Sequence, residues 1–201
     1  MDFSTIKNNL ESFGYKVNIF NEVSEANDYL NNSIDNKTIG IGGSVTVNQM
    51  GIFETLNNHN KVNWHWKPLE GVSAQEMRKL AQTANIYISS VNGISETGEI
   101  VNIDNNCDRV SNILFGHEKV YFVVGKNKIA PDLDQAIFRA RNIAAPLNAQ
   151  RLNKKTPCAV KGDKCYNCKS PDRICRGLSV LWQKPAGCEY EVILINQNLG
   201  Y

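Results

Sequence analysis

The sequence predicts an α/β fold, a three-layer sandwich built around a mostly parallel sheet. Two observations lead to this fold class. Over residues 1–150, short segments with strand-like patterns are interleaved with segments of helical periodicity. Residues 120–124 form a continuous apolar run, which is typical of a strand buried on both faces of a parallel sheet. With 201 residues, of which 42% are hydrophobic, the chain is long enough for one domain with a sizeable core.

The predicted elements alternate along the chain as such a fold requires. A first helix is indicated by the i, i+4, i+7 recurrence of Ile6, Leu10 and Phe13. The start of another helix is predicted by the capping-box spacing of Ser73 and Glu76. The helices after the first are expected at 25–30, 45–56, 74–83 and 132–144. Strands are expected at 17–20, 38–41, 62–66, 86–88, 100–103, 120–124, 178–182 and 190–195, with the last two joined as a hairpin.

The character of the sequence changes after residue 150. Residues 151–176 contain eight basic and two acidic residues, four clustered cysteines and no long apolar run. We therefore divide the chain into an α/β core, residues 1–150, and a second segment, residues 151–201. In this second segment a Cys-rich basic stretch and the terminal strands are expected to pack on the same domain.

Charge and hydropathy exclude several classes of protein. The chain has 22 Lys and Arg against 20 Asp and Glu, a formal net charge of +2, so a globally basic nucleic-acid binder is not expected. No apolar run approaches the roughly 18 residues of a membrane span, and no basic segment followed by an apolar stretch opens the chain. We expect a cytoplasmic protein with neither nucleic acid nor a membrane as partner. Its six cysteines are then not expected to form a disulfide scaffold.

A glycine-rich turn, Gly42-Gly43-Ser44-Val45-Thr46, lies between a predicted strand and a predicted helix. Glycines let a backbone approach a ligand closely. The N–H groups at a helix start, together with the Ser44 and Thr46 hydroxyls, suit a phosphate or a carboxylate. The turn has neither the spacing of a dinucleotide fingerprint nor the lysine of a Walker loop. Gly42, Gly43, Ser44 and Thr46 are therefore predicted to bind an anion, and an ordinary tight turn capped by Ser44 is the alternative.

A second polar stretch, residues 90–104, connects two predicted strands. Loops at strand ends are where parallel α/β folds bind ligands. Glu96 is a candidate base or nucleophile, and Asn102 and Asp104 share a face because they alternate across Ile103. A solvated hairpin rich in turn-forming residues is the alternative. The three histidines lack metal-ligand spacing, so each is interpreted as structural.

Four cysteines follow the pattern Cys158-x6-Cys165-x2-Cys168-x6-Cys175. A Cys-x2-Cys loop lets two thiolates converge on one zinc ion or on one edge of an iron–sulfur cluster. Structural zinc sites usually contain two such pairs, whereas here one pair is flanked by single cysteines. The pattern therefore favours a [4Fe–4S] cluster held by all four cysteines, and the nearby basic residues would offset its negative charge. Zinc and metal-free cysteines are the alternatives.

Several segments together carry a resemblance. They are the turn from Gly42 to Thr46 with Gly51, the stretch 90–104 followed by Arg109-Val110, residues 120–124 leading into Gly125-Lys126-Asn127-Lys128, Arg139-x-Arg141, and residues 144–151. These segments span nearly the whole chain and resemble the LUD (lactate-utilisation) domain family, whose members include LutC/YkgG-type proteins. Pro157-Cys158 and Cys165-x2-Cys168 resemble the tail of its compact members that carry four cysteines.

The resemblance implies a fold similar to the NagB/RpiA/CoA-transferase group, in which a Gly-rich strand-to-helix loop binds phosphate or carboxylate. It also implies a catalytic acidic residue on a neighbouring loop, a role for Glu96 or Asp104. Where the family has a Gly-Asn pair before Arg-Val, this chain has Cys107-Asp108, which makes Cys107 a candidate site thiol. We expect one cavity beside the Gly-rich loop to gather Glu96, Asn102, Asp104, Arg109, Asn127 and Lys128.

Three functions follow from these features. The first is a redox accessory protein of the lactate-utilisation type, which binds a small 2-hydroxy or 2-oxo acid and passes electrons through a [4Fe–4S] cluster to a partner protein. The second is an iron–sulfur-dependent enzyme acting on a small anionic metabolite. The third is an anion-binding module whose tail is held together by a structural zinc ion. The expected partners are thus a small anion and a redox protein, and a homo-oligomer is left open.

Overall fold

The structure is a computed structural model that describes residues 1–201. The strands are β1 (Lys16–Phe20), β2 (Thr38–Ile41), β3 (Lys61–Trp64), β4 (Ile86–Ser90), β5 (Gly93–Ser95), β6 (Ile100–Asp104), β7 (Lys119–Gly125), β8 (Ile129–Ala130), β9 (Gly177–Leu181) and β10 (Glu189–Ile195). The α-helices are α1 (Ser4–Ser12), α2 (Val23–Ser33), α3 (Val45–Met50), α4 (Ile52–Asn57), α5 (Ala74–Gln82), α6 (Asp108–Leu114), α7 (Leu133–Arg139), α8 (Ala145–Arg151) and α9 (Pro157–Lys161).

Six parallel strands form the central sheet, in the order β1-β10-β7-β4-β2-β3. Strand β7 lies inside the sheet, hydrogen-bonded to β10 and β4, which explains why residues 120–124 are apolar throughout. Two hydrophobic cores lie on opposite faces of this sheet, one with α2, α3 and α4, the other with α1, α5 and α6. The predicted α/β fold with a mostly parallel sheet is confirmed.

A second, smaller sheet has the order β8-β5-β6-β9, with β6 antiparallel to both of its neighbours. The hairpin predicted for the last two strands is wrong, because β9 pairs with β6 here whereas β10 lies between β1 and β7 in the central sheet. All six residues from 190 to 195 are buried, as an interior strand requires, while β9 is only partly buried at a sheet edge. Residues 151–201 therefore complete both sheets rather than forming a separate unit.

Two predicted helices differ in extent from those of the structure. The helix predicted over 45–56 is divided into α3 and α4 at Gly51, whose φ of 68° lies in the left-handed region. The helix predicted over 132–144 continues to Arg151, because a π-helical turn at Ala140–Ala144 joins α7 to α8. Pro146 lacks the N–H that would bond to the carbonyl of residue 142, and the helix is widened at this point.

The predicted capping box of α5 is confirmed. The Ser73 hydroxyl accepts a hydrogen bond from the Glu76 N–H at 3.2 Å, and the Glu76 carboxylate accepts one from the Ser73 N–H at 2.9 Å. Asp132 likewise caps α7 by accepting from the Gln135 N–H at 2.7 Å. None of the helices has the length and apolar character needed to traverse a bilayer.

Candidate functional site

A cavity of about 320 Å³ opens at the carboxyl edge of the central sheet. Its walls come from the segments that leave β2, β3, β4 and β7, which is where parallel α/β folds bind ligands. We call it the cationic cavity. Its basic lining residues are Arg78, Arg109, Lys128, Arg151 and Lys154, and its acidic ones are Asp104 and Asp108.

The Gly-rich turn after β2 forms one lip of the cationic cavity, with Gly43, Ser44, Val45 and Thr46 in its lining. The Ser44 hydroxyl caps α3 by accepting from the Val47 N–H at 3.2 Å. The backbone N–H groups of residues 43–46 donate to no group of the chain. Four backbone donors at the lip of the cavity therefore have no acceptor within the chain, an arrangement that suits an anionic oxygen.

Lys128 is buried in the wall of the cationic cavity, with 4% of its surface exposed. Its ammonium donates to the Thr46 hydroxyl at 2.7 Å, the Ser90 hydroxyl at 3.0 Å and the Val91 carbonyl at 3.0 Å. All three acceptors are neutral, and no carboxylate pairs with Lys128. Burial, followed by the nearby guanidinium groups of Arg139 and Arg109, holds the pKa of Lys128 well below its ordinary value.

Arg109 and Arg139 are two further buried cations with neutral partners. Arg109 donates to the Ser90 carbonyl at 3.1 Å, the Ile103 carbonyl at 2.8 Å, the Asn92 side chain at 3.0 Å and the Asn102 side chain. Arg139 donates to the backbone carbonyls of Asn127 at 2.8 Å and Asn92 at 2.7 Å.

Lys128 and Arg109 therefore line the cationic cavity, Arg139 lies behind its wall, and none of the three has a buried acidic partner. Both aspartates of the lining are engaged elsewhere. Asp104 accepts from the N–H groups of Asn105 and Val110, and Asp108 pairs with Arg78 at 3.2 Å. Because an unpaired buried charge is costly, this arrangement indicates a counterion supplied by a ligand.

The four clustered cysteines line a second cavity, which we call the thiol cavity. Its free volume is only about 10 Å³, and it is also lined by Arg141, Ala145, Ala149, Thr156, Arg173 and Ile174. The Asn167 N–H donates to Cys165 Sγ at 3.3 Å, and the Arg141 guanidinium lies 3.9 Å from the same sulfur. No three Cys, His, Asp or Glu side chains of the chain form a group that could hold a single metal ion. The thiols therefore do not meet at one point.

The backbone around the thiol cavity is held mainly by Arg173. Its guanidinium donates to the Cys168 carbonyl at 2.8 Å, the Cys175 carbonyl at 2.8 Å and the Asn167 side chain at 3.3 Å. The π-helical turn contributes Asn142, whose side-chain oxygen accepts from the Cys165 N–H at 3.1 Å. These contacts tie the cysteine loop to the helix that also lines the cationic cavity.

A comparison with protein families shows to which family nearly the whole chain belongs. The model of the LUD domain matches residues 4–195. The chain belongs to the LUD domain family. A solved DUF162 family protein from Deinococcus radiodurans is similar in fold to this LUD domain, with a TM-score of 0.54 at 11% identity, covering 97% of this chain and 99% of that one. The β subunit of eIF2B from Chaetomium thermophilum is more distant, with a TM-score of 0.37 at 12% identity over 56% of this chain and 44% of that one. The search of curated proteins gives no match.

Within the LUD domain, the predicted site residues divide into lining and supporting groups. Gly43, Ser44, Thr46, Asp104, Arg109 and Lys128 line the cationic cavity. Gly42, Asn102 and Asn127 lie behind its wall. A Cβ on Gly42 would lie 2.8 Å from the Tyr87 hydroxyl, so this glycine allows close packing against the core. Asn102 accepts from Arg109, and Asn127 holds the carboxyl-terminal residues by accepting from the Leu199 N–H at 3.0 Å.

Two candidates lie away from the cationic cavity. Glu96 is in the turn between β5 and β6, where its N–H donates to the Ala130 carbonyl at 2.7 Å and its carbonyl accepts from Asn9 at 2.7 Å. Because β5 starts beside the cavity and runs away from it, the turn that follows is at the far end, and Glu96 is not placed to act on a ligand in the cavity. Cys107 is exposed and outside the lining; its φ of 60° explains why a glycine would suit this position.

Sequence reasoning missed many lining residues of this LUD domain, among them His65, Trp66, Arg151 and Tyr201. His65 directly follows β3, and the strand-end rule applied to that strand would have found it. Burial, then the positive charge of Arg78, lowers the pKa of His65, so its imidazole is neutral at pH 7. Arg151 lies over the Trp66 ring at 5.0 Å, a contact between distant segments that only the fold reveals.

Gly43→Val is expected to block the cationic cavity of this LUD domain without unfolding it. A Cβ at this position would already lie 3.3 Å from the His65 ring, so a branched side chain must project into the cavity. The backbone of Gly43 is not in the left-handed region, so valine adds no backbone strain. Calorimetric titration with an organic acid should show no binding, whereas the thermal unfolding midpoint should stay close to that of the wild type. Gly43→Ala is the matched control, and normal binding by the valine variant would contradict the assignment of this lip.

Proposed function

We propose that this LUD-domain protein binds a small organic acid of the 2-hydroxy or 2-oxo class in the cationic cavity. We further propose that Cys158, Cys165, Cys168 and Cys175 carry a [4Fe–4S] cluster that exchanges electrons with a partner redox protein. One observation carries the proposal: a cavity with uncompensated buried cations adjoins a cavity lined by four thiols. Free thiols at all six cysteines fit a reducing compartment such as the cytoplasm.

The buried cations support an anionic ligand. Lys128 and Arg109 supply positive potential in the lining of the cationic cavity, and Arg139 adds to it from behind the wall. The N–H groups of residues 43–46 supply hydrogen-bond donors. A carboxylate can accept from several donors at once and would neutralise part of this charge. A cavity of about 320 Å³ accommodates a small metabolite.

The donor set of the thiol cavity supports a cluster better than zinc. Zinc requires four ligands at about 2.3 Å from one point, whereas no group of residues in the chain could hold a single ion. A [4Fe–4S] cluster separates its four thiolate ligands by its own body, so the cysteine loop would move outward to admit it. Arg141 and the Asn167 N–H would donate to a ligating sulfur, a contact that tunes cluster potential. When bound, such a cluster supplies one-electron transfer.

Residues of the chain would position the acid and move its proton. Backbone N–H groups of residues 43–46 would hold a carboxylate, and Lys128 would stabilise its charge. We propose Asp104, which lines the cationic cavity, as the acceptor of a proton from a bound hydroxy acid. His65 is neutral at pH 7 and lines the same cavity, so it is the second group able to accept this proton.

Anaerobic purification followed by iron, sulfide and zinc analysis tests the cluster. We expect about four iron and four sulfide per chain; one zinc without sulfide would favour the zinc-stapled anion-binding module instead. Calorimetric titration with lactate and pyruvate tests the ligand, with uncharged lactamide as the matched control. Equal binding of lactate and lactamide would contradict an anion site.

The anion affinity is expected to fall as the pH rises. An anion binds better to the ammonium form of Lys128, and the pKa of this group in the free protein lies well below its usual value of 10.5. Pyruvate affinity should therefore decrease as Lys128 loses its proton, at a pH well under 10.5. Lys128→Arg retains its charge throughout and should give a flat profile. Parallel profiles for the two proteins would show that another group is responsible.

A further inference from the structure

We propose that the cysteine segment, residues 156–176, forms one wall of the cationic cavity when it holds metal, so that metal binding and anion binding strengthen each other. This inference rests on the function proposed above and adds a coupling between its two sites.

The two cavities share wall residues. Ala145 and Ile174 line both the cationic cavity and the thiol cavity, so a single layer of side chains separates them. Ile174 directly precedes Cys175 and is 8% exposed. The position of the Cys175 backbone therefore also fixes the position of the Ile174 side chain, which closes this part of the cationic cavity.

The rest of this wall consists of the chain on either side of the cysteine segment. On the amino-terminal side, Asn148, Arg151, Leu152 and Lys154 line the cationic cavity directly before the segment begins. The neighbouring Lys155 N–H donates at 3.0 Å to the carboxylate of Asp172, which is inside the segment.

On the carboxyl-terminal side, the Arg176 N–H donates to the Asp104 carbonyl at 2.9 Å, and Gly177 is then the pairing partner of Asp104 in the small sheet. Asp104, Asn105 and Asn106 all line the cationic cavity. Both ends of the cysteine segment are thus fastened to this wall.

The cysteine segment has almost no hydrophobic core of its own, and hydrogen bonds from Arg173 and to Asn142 hold it. Between residues 157 and 176 the only buried residue is Ile174, and the only regular element is the short helix α9. Metal–thiolate bonds supply folding energy to segments of this kind. The opposite lip, residues 43–46 and Lys128, packs on the central sheet and does not need the segment.

Metal binding should therefore order the wall formed by residues 104–106, 148–154 and Ile174. It should leave the lip at residues 43–46 unchanged. By thermodynamic reciprocity, a metal that organises the anion site raises anion affinity by the same factor by which the anion raises metal affinity. We expect pyruvate to bind about 5- to 150-fold more weakly to metal-free protein than to metal-loaded protein, the usual range of such coupling.

Hydrogen–deuterium exchange of the full chain, with and without metal, tests this directly. Metal is expected to slow exchange in residues 104–106 and 148–154 as well as in the cysteine segment, and to leave residues 43–50 unaffected. Calorimetric titration of both forms with pyruvate provides the second readout. Cys168→Ser should behave as the metal-free form, and Cys188→Ser, outside the thiol cavity, should behave as the wild type.

The outcomes separate this inference from the function on which it rests. Metal-dependent protection confined to residues 156–176 would overturn the coupling while leaving a metal site in place. Equal pyruvate affinity of the two forms would overturn it as well. If metal slows hydrogen exchange in residues 104–106 and 148–154 while neither form binds pyruvate, the link between the metal site and the cavity wall stands, and the proposed ligand is wrong. Purified protein that takes up no metal would remove the cluster and the coupling together.

Discussion

Lys128→Met is expected to remove most of the anion affinity while leaving the anion-free protein at least as stable as the wild type. A hydrogen bond from a charged group to a ligand contributes about 1.5–3 kcal/mol, which corresponds to a loss of affinity of about 10- to 150-fold. Methionine has a similar length and volume, so it should fill the buried space of the lysine. Calorimetric titration with pyruvate and thermal unfolding in anion-free buffer measure the two effects.

The stability result follows from the direction of the pKa shift. The pKa of Lys128 is lower in the folded protein than in the unfolded chain, so the unfolded chain binds the proton more tightly. Burial of Lys128 therefore costs stability at neutral pH, and this cost diminishes as the pH rises toward the ordinary lysine pKa of 10.5. The Lys128→Met substitution removes this cost in stability.

Lys126→Met is the matched control for the lysine prediction. Lys126 is in the same 3-10 turn, but its ammonium points to the Asn196 side chain at 3.4 Å and does not line the cationic cavity. This control should keep its anion affinity. Unchanged pyruvate binding by Lys128→Met, or equal losses in the two variants, would contradict the role given to Lys128.

Cys168→Ser is expected to release the metal and to open the cysteine segment while the central sheet stays folded. Loss of one of four thiolate ligands removes the bonds that order a segment with one buried side chain. Trypsin should then cleave after Lys161, Lys164 and Lys169, which are exposed lysines of the cysteine segment. Limited proteolysis with mass spectrometry locates the cuts, and metal analysis measures the loss.

Cys107→Ser provides the comparison for the cysteine variant, since Cys107 is exposed and outside the thiol cavity. It should retain both its metal and its resistance to trypsin. Retention of full metal content by Cys168→Ser, or global unfolding of that variant, would show that Cys168 does not act as a ligand of a local centre.

The parts of the fold that local sequence determines were predictable. The apolar run of β7, the capping box of α5 and the Gly-rich turn after β2 each follow from residues within a few positions of one another. The placement of β10 was not predictable in this way. Its neighbours β1 and β7 are distant in sequence, and short connection to β9 favoured a hairpin that the structure does not contain.

The same distinction applies to the site. The strand-end rule located the Gly-rich lip because it follows β2 directly, and Asp104 because it ends β6. It failed for Glu96, because residues 93–104 form an antiparallel pair whose turn lies at the far end of β5. The supporting roles of Asn102 and Asn127 depend on hydrogen bonds to Arg109 and Leu199, which sequence alone does not indicate.

Anomalous diffraction at the iron edge, from crystals grown without oxygen in the presence of pyruvate, tests the central claim most directly. Our account predicts four iron peaks inside the space lined by Cys158, Cys165, Cys168 and Cys175. It also predicts pyruvate density against residues 43–46 and Lys128, on the other side of Ala145 and Ile174. A single zinc peak or empty thiols, with no anion beside Lys128, would contradict it.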